Sequence, residues 1–351
     1  MTTFAMIGTG FRAQMFLSVA RELGTVRCAG AVVRTPRRLE VPTFGSLDEL
    51  LREVQVDFVL TATPKPLTPT AIIEAVNRGL PVLAETPPAP DLDGLRELWS
   101  AAGTSGLVQI AEQYALMPTH AARAALVATG AIGRPTQVQV SSTQQYHAVA
   151  LIRGLLSAGR GPATVRATRF TAPLVSPLSR AGWTDDEEAH PTPTTIATLD
   201  FGDGRSGVYD FTEQQTRNQL RFRRLTVRGS AGEVHNDEVV RMTGPRTLVR
   251  SPLVRRQTGH DLDLIGYETE HISVGSEVLY RNPYPGRRWM DDEIAIATLL
   301  ERTADWVHGE GPEPYPLAEG MQDHQVALAI EEAADTDTAV TTSPEGWTSA
   351  A

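Results

Sequence analysis

The chain has 351 residues, 41% of them hydrophobic and 21% charged, an ordinary balance for a globular protein and enough length for two separate cores. Its formal net charge of −10 argues against a nucleic acid or an anionic membrane as partner, since either selects a basic face. A single cysteine, Cys28, excludes an intrachain disulfide and a cysteine-based zinc site, and no metal site is expected.

The amino terminus shows no basic stretch leading into an apolar one, and no run approaches the ~20 residues that span a bilayer. A soluble cytoplasmic protein is the expectation. Phe4 to Ile7 reads as a buried strand, and Gly8, Thr9, Gly10, Phe11, Arg12 and Ala13 follow at once. A helix then runs to about Leu23 with Phe16, Val19, Ala20 and Leu23 on one side, and Gly24 stops it. Val26 to Val33 is a second strand, and Ser46 to Glu49 has the form of a capping box opening a short helix. Val56 to Thr63 is a third strand, Pro69 to Asn77 a helix closed by Gly79, and Pro81 to Glu85 a fourth strand. Asp91 caps a helix carrying Leu92, Leu95, Leu98 and Trp99, and Leu107 to Ala111 is a further strand. Strands and helices alternating at this spacing require right-handed crossovers and a parallel sheet. Residues 1–118 are therefore expected as a doubly wound α/β domain.

The remainder, residues 119–351, reads as one α+β domain built on an open antiparallel sheet. Gln137 to Ser142 alternates apolar and polar residues, and Thr194 to Asp200, Gly207 to Thr212, Leu220 to Arg228 and Val239 to Met242 are further strand candidates. Gly202, Asp203 and Gly204 form a hairpin-type turn. Met290 to Val307 and Gln322 to Ala334 read as helices, and about the last ten residues as a polar, loose end.

The glycine motif gains meaning from its place in this order. Gly-x-Gly-x-x-Ala between a first strand and a first helix lets the backbone approach a pyrophosphate, which then rests on the helix N-terminus. A dinucleotide site at Gly8, Thr9, Gly10, Phe11 and Arg12 follows. An NAD site usually places an acid at the end of the second strand to hold the ribose 2′-hydroxyl. Here that stretch is Val33, Arg34, Thr35, Pro36, Arg37 and Arg38. Arg34 suits a 2′-phosphate, with Thr35, Arg37 or Arg38 assisting, so NADP(H) is favoured over NAD(H).

From the glycine loop the chain continues through Ala62-Thr63-Pro64, Glu85-Thr86-Pro87, Glu112-Gln113-Tyr114 and "THAARAALVATGAIGRP" (119–135). In order and spacing these segments resemble the Gfo/Idh/MocA family, the glucose–fructose oxidoreductase and inositol dehydrogenase group. The resemblance implies an N-terminal Rossmann domain and a C-terminal sheet used for assembly into a homodimer or homotetramer. It also implies hydride transfer between a nicotinamide and a small polar substrate, sugar-like or a cyclic imine. Thr63, Pro64, Glu85, Thr86 and Gln113 would join the cofactor site.

Two family residues are replaced. The lysine of the Glu-Lys-Pro motif is Thr86, and the family's Asp and His, four residues apart, map onto Thr143 and His147. His147 becomes the principal acid–base candidate, because an imidazole titrates near neutrality, and adjacent Tyr146 is a second. Lys65, the only lysine in the chain, is a third. It follows a sheet strand, and unlike an arginine it can lose its proton. Loss of both motif residues also admits a catalytically lapsed cofactor-binding protein with a regulatory or structural role. A third alternative is a lyase- or glycosidase-like enzyme that recycles its nicotinamide. Asp185 to Glu188 with His190 reads as a solvated acidic loop, Asp323-His324 as an exposed helical pair, and Arg221, Arg223 and Arg224 as strand residues. Tyr280 to Gly286 reads as a functional-looking loop.

Overall fold

The computed structural model describes residues 1–34, 39–263 and 266–349. Thr35, Arg37 and Arg38, expected beside Arg34, lie outside the described residues. Two compact units emerge. One comprises Met1–Met117, Arg287–Gln322 and the C-terminal stretch from Glu345; the other comprises Pro118–Gly286 and Asp323–Pro344.

The first unit opens with β1 (Thr2–Ile7), α1 (Phe11–Leu23), β2 (Val26–Val32), β3 (Thr43–Phe44) and α2 (Leu47–Glu53). It continues with β4 (Phe58–Thr61), α3 (Thr68–Val76), β5 (Val82–Ala84), α4 (Leu92–Ala102) and β6 (Val108–Ile110). The strands form one parallel sheet in the order β3-β2-β1-β4-β5-β6, the doubly wound arrangement. Helices on both faces explain why β4, β5 and β6 are apolar and buried at nearly every position rather than alternating. The rings of Phe4 and Phe58 stack at 5.3 Å between neighbouring strands. Helix ends follow local chemistry. Gly24 leaves α1 at φ +78°, and the Ser46 and Asp91 side chains accept the N–H groups of Glu49 and Gly94. The expected capping box at Ser46 is only half formed, because the Glu49 carboxylate takes the N–H of Gly45 instead.

The second unit begins with α5 (Pro118–Ala128), β7 (Pro135–Ser141), α6 (Gln145–Leu156), β8 (Thr164–Val175) and a small hairpin, β9 (Leu178–Ser179) with β10 (Gly182–Trp183). Then follow β11 (Ala189–Asp200), β12 (Ser206–Thr212), β13 (Arg224–Gly229), β14 (Gly232–His235) and β15 (Glu238–Gly244). After them come β16 (Thr247–Gln257), β17 (Thr269–Val274) and β18 (Glu277–Arg281). The sheet has 11 strands in the order β18-β17-β16-β15-β14-β13-β7-β12-β11-β8, closed at the β8 edge by β19 (Val340–Thr341). It is mixed rather than purely antiparallel, since β7 and β12 run parallel. The crossover through α6 imposes that direction, and α6 covers the face that carries Val138, Val140 and Tyr209.

Two helices end the fold, α7 (Asp291–Val307) and α8 (Leu317–Thr336). The two compact units divide residues 119–351 between them. α7 lies with the first unit, where it packs on α1 and where Trp289 Nε1 donates to Glu22 at 2.8 Å. α8 changes unit between Gln322 and Asp323. Asp323 and His324 are buried rather than exposed. Asp323 forms a buried ion pair with Arg153 of α6, so its helix face is filled by other elements. Of the three clustered arginines only Arg224 is on a strand, where it pairs with Asp210; Asn218 Oδ1 accepts the N–H of Leu220 and holds that stretch in a turn. The loop ending at Gly286 is pinned structurally: Asn282 donates to the Thr269 carbonyl, and Gly286 N donates to Glu268.

Candidate active site

Every candidate of the first unit follows a strand at the carboxyl edge of the parallel sheet, where ligands of doubly wound folds bind. Gly8 to Arg12 follow β1, Arg34 follows β2, Thr63 to Lys65 follow β4, Glu85 and Thr86 follow β5, and Gln113 follows β6. The two glycines of the first turn differ. Gly8 has φ +112°, and a Cβ there would stand 2.2 Å from the carbonyl oxygen of Ala62, so only glycine lets β1 turn against the end of β4. Gly10 caps α1 at an ordinary φ of −72°, and a Cβ there would meet nothing within 4 Å among the described residues. The first turn of α1 has neither a side-chain cap nor an acidic residue. Its N–H groups and the positive end of its dipole suit an anion. A tight turn, open space over the backbone and an uncapped helix start fit a dinucleotide pyrophosphate.

Arg12 is the centre of a network that joins four segments. Its Nε donates to Glu85 Oε1 at 2.8 Å and its Nη1 to Asp292 Oδ2 at 3.2 Å. Gln113 Nε2 donates to the other oxygen of Asp292 at 3.2 Å. The second oxygen of Glu85 accepts the backbone N–H of Thr86 at 3.1 Å. Burial alone would lower the guanidinium's pKa, but the charges of Glu85 and Asp292 outweigh it and hold that pKa above the ordinary value. The Phe16 ring lies 5.4 Å from the same guanidinium. Glu85 and Gln113 are buried, Thr86 is half-buried, and Lys65 and Arg34 are exposed. The first carboxylate after β2 is Glu40, and Arg21 engages it. Thr63 is half-buried with its hydroxyl 3.2 Å from that of Thr68, and Pro64 leads into the single turn that carries Lys65. Cys28 is buried in β2, and that burial pushes its thiol up to about 11, which makes it inert at neutral pH.

In the second unit Tyr146 and His147 occupy the first turn of α6. Tyr146 is buried, its ring edge-on to His147 at 5.5 Å and tilted against His324 of α8 at 6.0 Å. His147 itself is half-buried. Thr143, expected at the position of the family's aspartate, is fully buried, and its hydroxyl has no hydrogen-bond partner among the described residues. His120 on α5 is a poor acid–base group, because desolvation and then the charge of Arg123 push its pKa down to about 3. His190 and Asp186 pair at 2.8 Å on the surface.

The sequence gives no sign of Asp292, and it places His324 in an exposed pair where the structure buries it. Asp292 sits in an acidic helix start, Asp291-Asp292-Glu293, that favourable helix-dipole charge explains by itself. His324 belongs to no motif in the sequence, and its ring contact with Tyr146 comes from the fold.

Comparison with known proteins matches residues 2–113 to the oxidoreductase family with an NAD-binding Rossmann fold, Gfo/Idh/MocA. An inositol 2-dehydrogenase of Rubrobacter xylanophilus is 31% identical over 121 residues, and that segment spans only 34% of either chain. Two solved structures share the fold over nearly all of both chains. An oxidoreductase from Agrobacterium radiobacter, in complex with NAD+, L-tartaric acid and magnesium, is 15% identical with a TM-score of 0.69, covering 97% of this chain and 98% of the other. A myo-inositol dehydrogenase from Corynebacterium glutamicum is 17% identical with a TM-score of 0.65, covering 98% and 99%.

Proposed function

We propose that this protein is an NAD(P)-dependent oxidoreductase acting on the CH–OH or C=O group of a small polar substrate, a reading supported by the match of residues 2–113 to the Gfo/Idh/MocA oxidoreductase family. A sugar-like compound is the leading substrate class and a cyclic imine the second. The observation that carries the proposal is the cradle at the first turn: Gly8 wedged against Ala62, open space over Gly10 and an uncapped α1. The bound nicotinamide supplies a hydride donor or acceptor at its C4.

The chain's own residues bind, orient and move the proton. The start of α1 binds the pyrophosphate. Exposed Arg34, in a stretch with no carboxylate before Glu40, meets a ribose 2′-phosphate and favours NADP(H). Glu85 and Thr86 line the nicotinamide side. A threonine hydroxyl does not titrate near neutral pH, so His147 takes or gives the substrate proton. Tyr146 keeps the ring of His147 in place from its buried position. Lys65 is the remaining ammonium group that could share the proton. Arg34→Ala is expected to weaken NADPH about tenfold, the worth of one charge-assisted contact, and NADH little. His147→Ala is expected to lower kcat by about 10²–10⁴ with dinucleotide affinity unchanged. Binding titrations and a turnover screen over sugars, cyclitols and imines measure both. Equal effects of Arg34→Ala on the two dinucleotides would end the NADP(H) assignment. Full activity in His147→Ala with loss in Lys65→Ala would transfer the role.

A second reading, a cofactor-binding protein without catalysis, is favoured by one observation: threonines stand at 86 and 143. Tight dinucleotide binding with no turnover on any of the screened classes, unaltered in His147→Ala, is its signature.

Assembly through the open sheet face belongs to the same proposal. Val240, Met242, Leu248 and Val254 are exposed and share one face of β15 and β16. Light scattering is expected to find a dimer or tetramer that Val254→Lys weakens. A wild-type monomer at all concentrations would contradict it.

A further inference from the structure

A guanidinium in a phosphate-binding loop invites assignment as a phosphate ligand, but the partners of Arg12 argue otherwise. Two carboxylates already engage it, Glu85 through Nε and Asp292 through Nη1, so the local group carries more negative than positive charge, while Nη2 is buried with no hydrogen-bond partner among the described residues. A third anion at the same guanidinium would meet those carboxylates. The bonds run instead along the sheet edge. Arg12 fixes Glu85 Oε1 at 2.8 Å, and Glu85 Oε2 holds the backbone N–H of Thr86 at 3.1 Å. Asp292 ties Arg12 to Gln113, the residue that follows β6. An acceptor-only carboxylate must face donors, so Asp292 fixes both the fork of Arg12 and the amide orientation of Gln113.

We propose that Arg12 is a positioning residue. It couples the glycine loop after β1 to the loop carrying Thr86, through Glu85 and with Asp292 and Gln113 as its second anchor, and so sets the nicotinamide side of the site rather than the phosphate side. This rests on the nicotinamide reading above. Position 86 is a threonine rather than a lysine, and the cation that Glu85 of that loop engages is Arg12. A lysine at position 12 could not reproduce the arrangement, because a point charge lacks the fork that engages Glu85 and Asp292 together.

Calorimetric titration of the full chain with NADPH, and with 2′-phospho-ADP-ribose, which lacks the nicotinamide, tests the assignment. Arg12→Met is expected to weaken NADPH at least about tenfold and the fragment by less than about twofold. Glu85→Gln should give the same split, and Arg12→Lys should rescue it only in part. If Arg12→Met does not fold, Glu85→Gln and Asp292→Asn carry the same comparison. Equal losses for NADPH and the fragment would make Arg12 a phosphate ligand and overturn the proposal, as would no loss for either. If the wild-type chain binds neither compound, the nicotinamide reading itself fails, and this assignment with it.

Discussion

Asp323→Ala is expected to lower the unfolding free energy by about 3–5 kcal/mol, the cost of leaving a buried charge without its partner. Asp323 is fully buried and the Arg153 side chain is 4% exposed, so water cannot replace the lost carboxylate. Arg153 keeps its bonds from Nε to the Gly159 carbonyl at 3.0 Å and from Nη2 to the same oxygen, and a neutral carbonyl does not balance the guanidinium charge. The double substitution Arg153→Met with Asp323→Leu should cost much less, because it removes both charges and keeps the volume. Urea unfolding of the three variants measures the difference. A single-variant loss below about 1 kcal/mol would show that the pair is hydrated and weak.

Gly8→Ala and Gly10→Ala are expected to separate folding from cofactor binding. At position 8 the new methyl would meet the Ala62 carbonyl oxygen at 2.2 Å and its carbon at 2.7 Å, both rigid backbone, at φ +112°. Strain of about 1–3 kcal/mol together with a displaced loop predicts a lower Tm and a dinucleotide affinity down on the order of a hundredfold. At position 10 the methyl meets no protein atom within 4 Å among the described residues and the backbone is unstrained. Tm should therefore stay within about a degree while affinity falls, since the methyl enters the space assigned to the pyrophosphate. Thermal scans with dinucleotide titrations read both quantities. Unchanged affinity in Gly10→Ala would remove the pyrophosphate from that position.

The parallel half of the fold was legible because its strands are buried on both faces and its helices are punctuated by chemistry. Uninterrupted apolar runs such as Val82-Leu83-Ala84, with stops at Gly24 and caps at Ser46 and Asp91, need no tertiary information to read. The large sheet was harder. β8, Thr164–Val175, carries exposed Arg166, Thr168 and Phe170 on its open face and a proline near its end, so its alternation is blurred. β16, Thr247–Gln257, is exposed along most of its length and rich in arginine, and nothing in its composition calls for burial. α8 misled for the opposite reason. Gln322, Asp323, His324 and Gln325 are consecutive and all buried, so the helix has no polar stripe from which an exposed face could be inferred.

The candidate site divides in the same way. The glycine turn and the loops after β4, β5 and β6 follow one another in sequence and are recognisable from order and spacing. Asp292 is 280 residues from Arg12, and its part in the network arises from packing of α7 on α1, which no local pattern encodes.

Under the proposed function the cradle around Gly8 and Gly10 holds a nicotinamide dinucleotide. Isothermal titration of the purified chain with NADPH and with NADH tests it most directly. Saturable binding of both at one site per chain, tighter for NADPH, is expected. No heat or saturation with either dinucleotide up to about 1 mM, the upper end of usual working affinities, would contradict it.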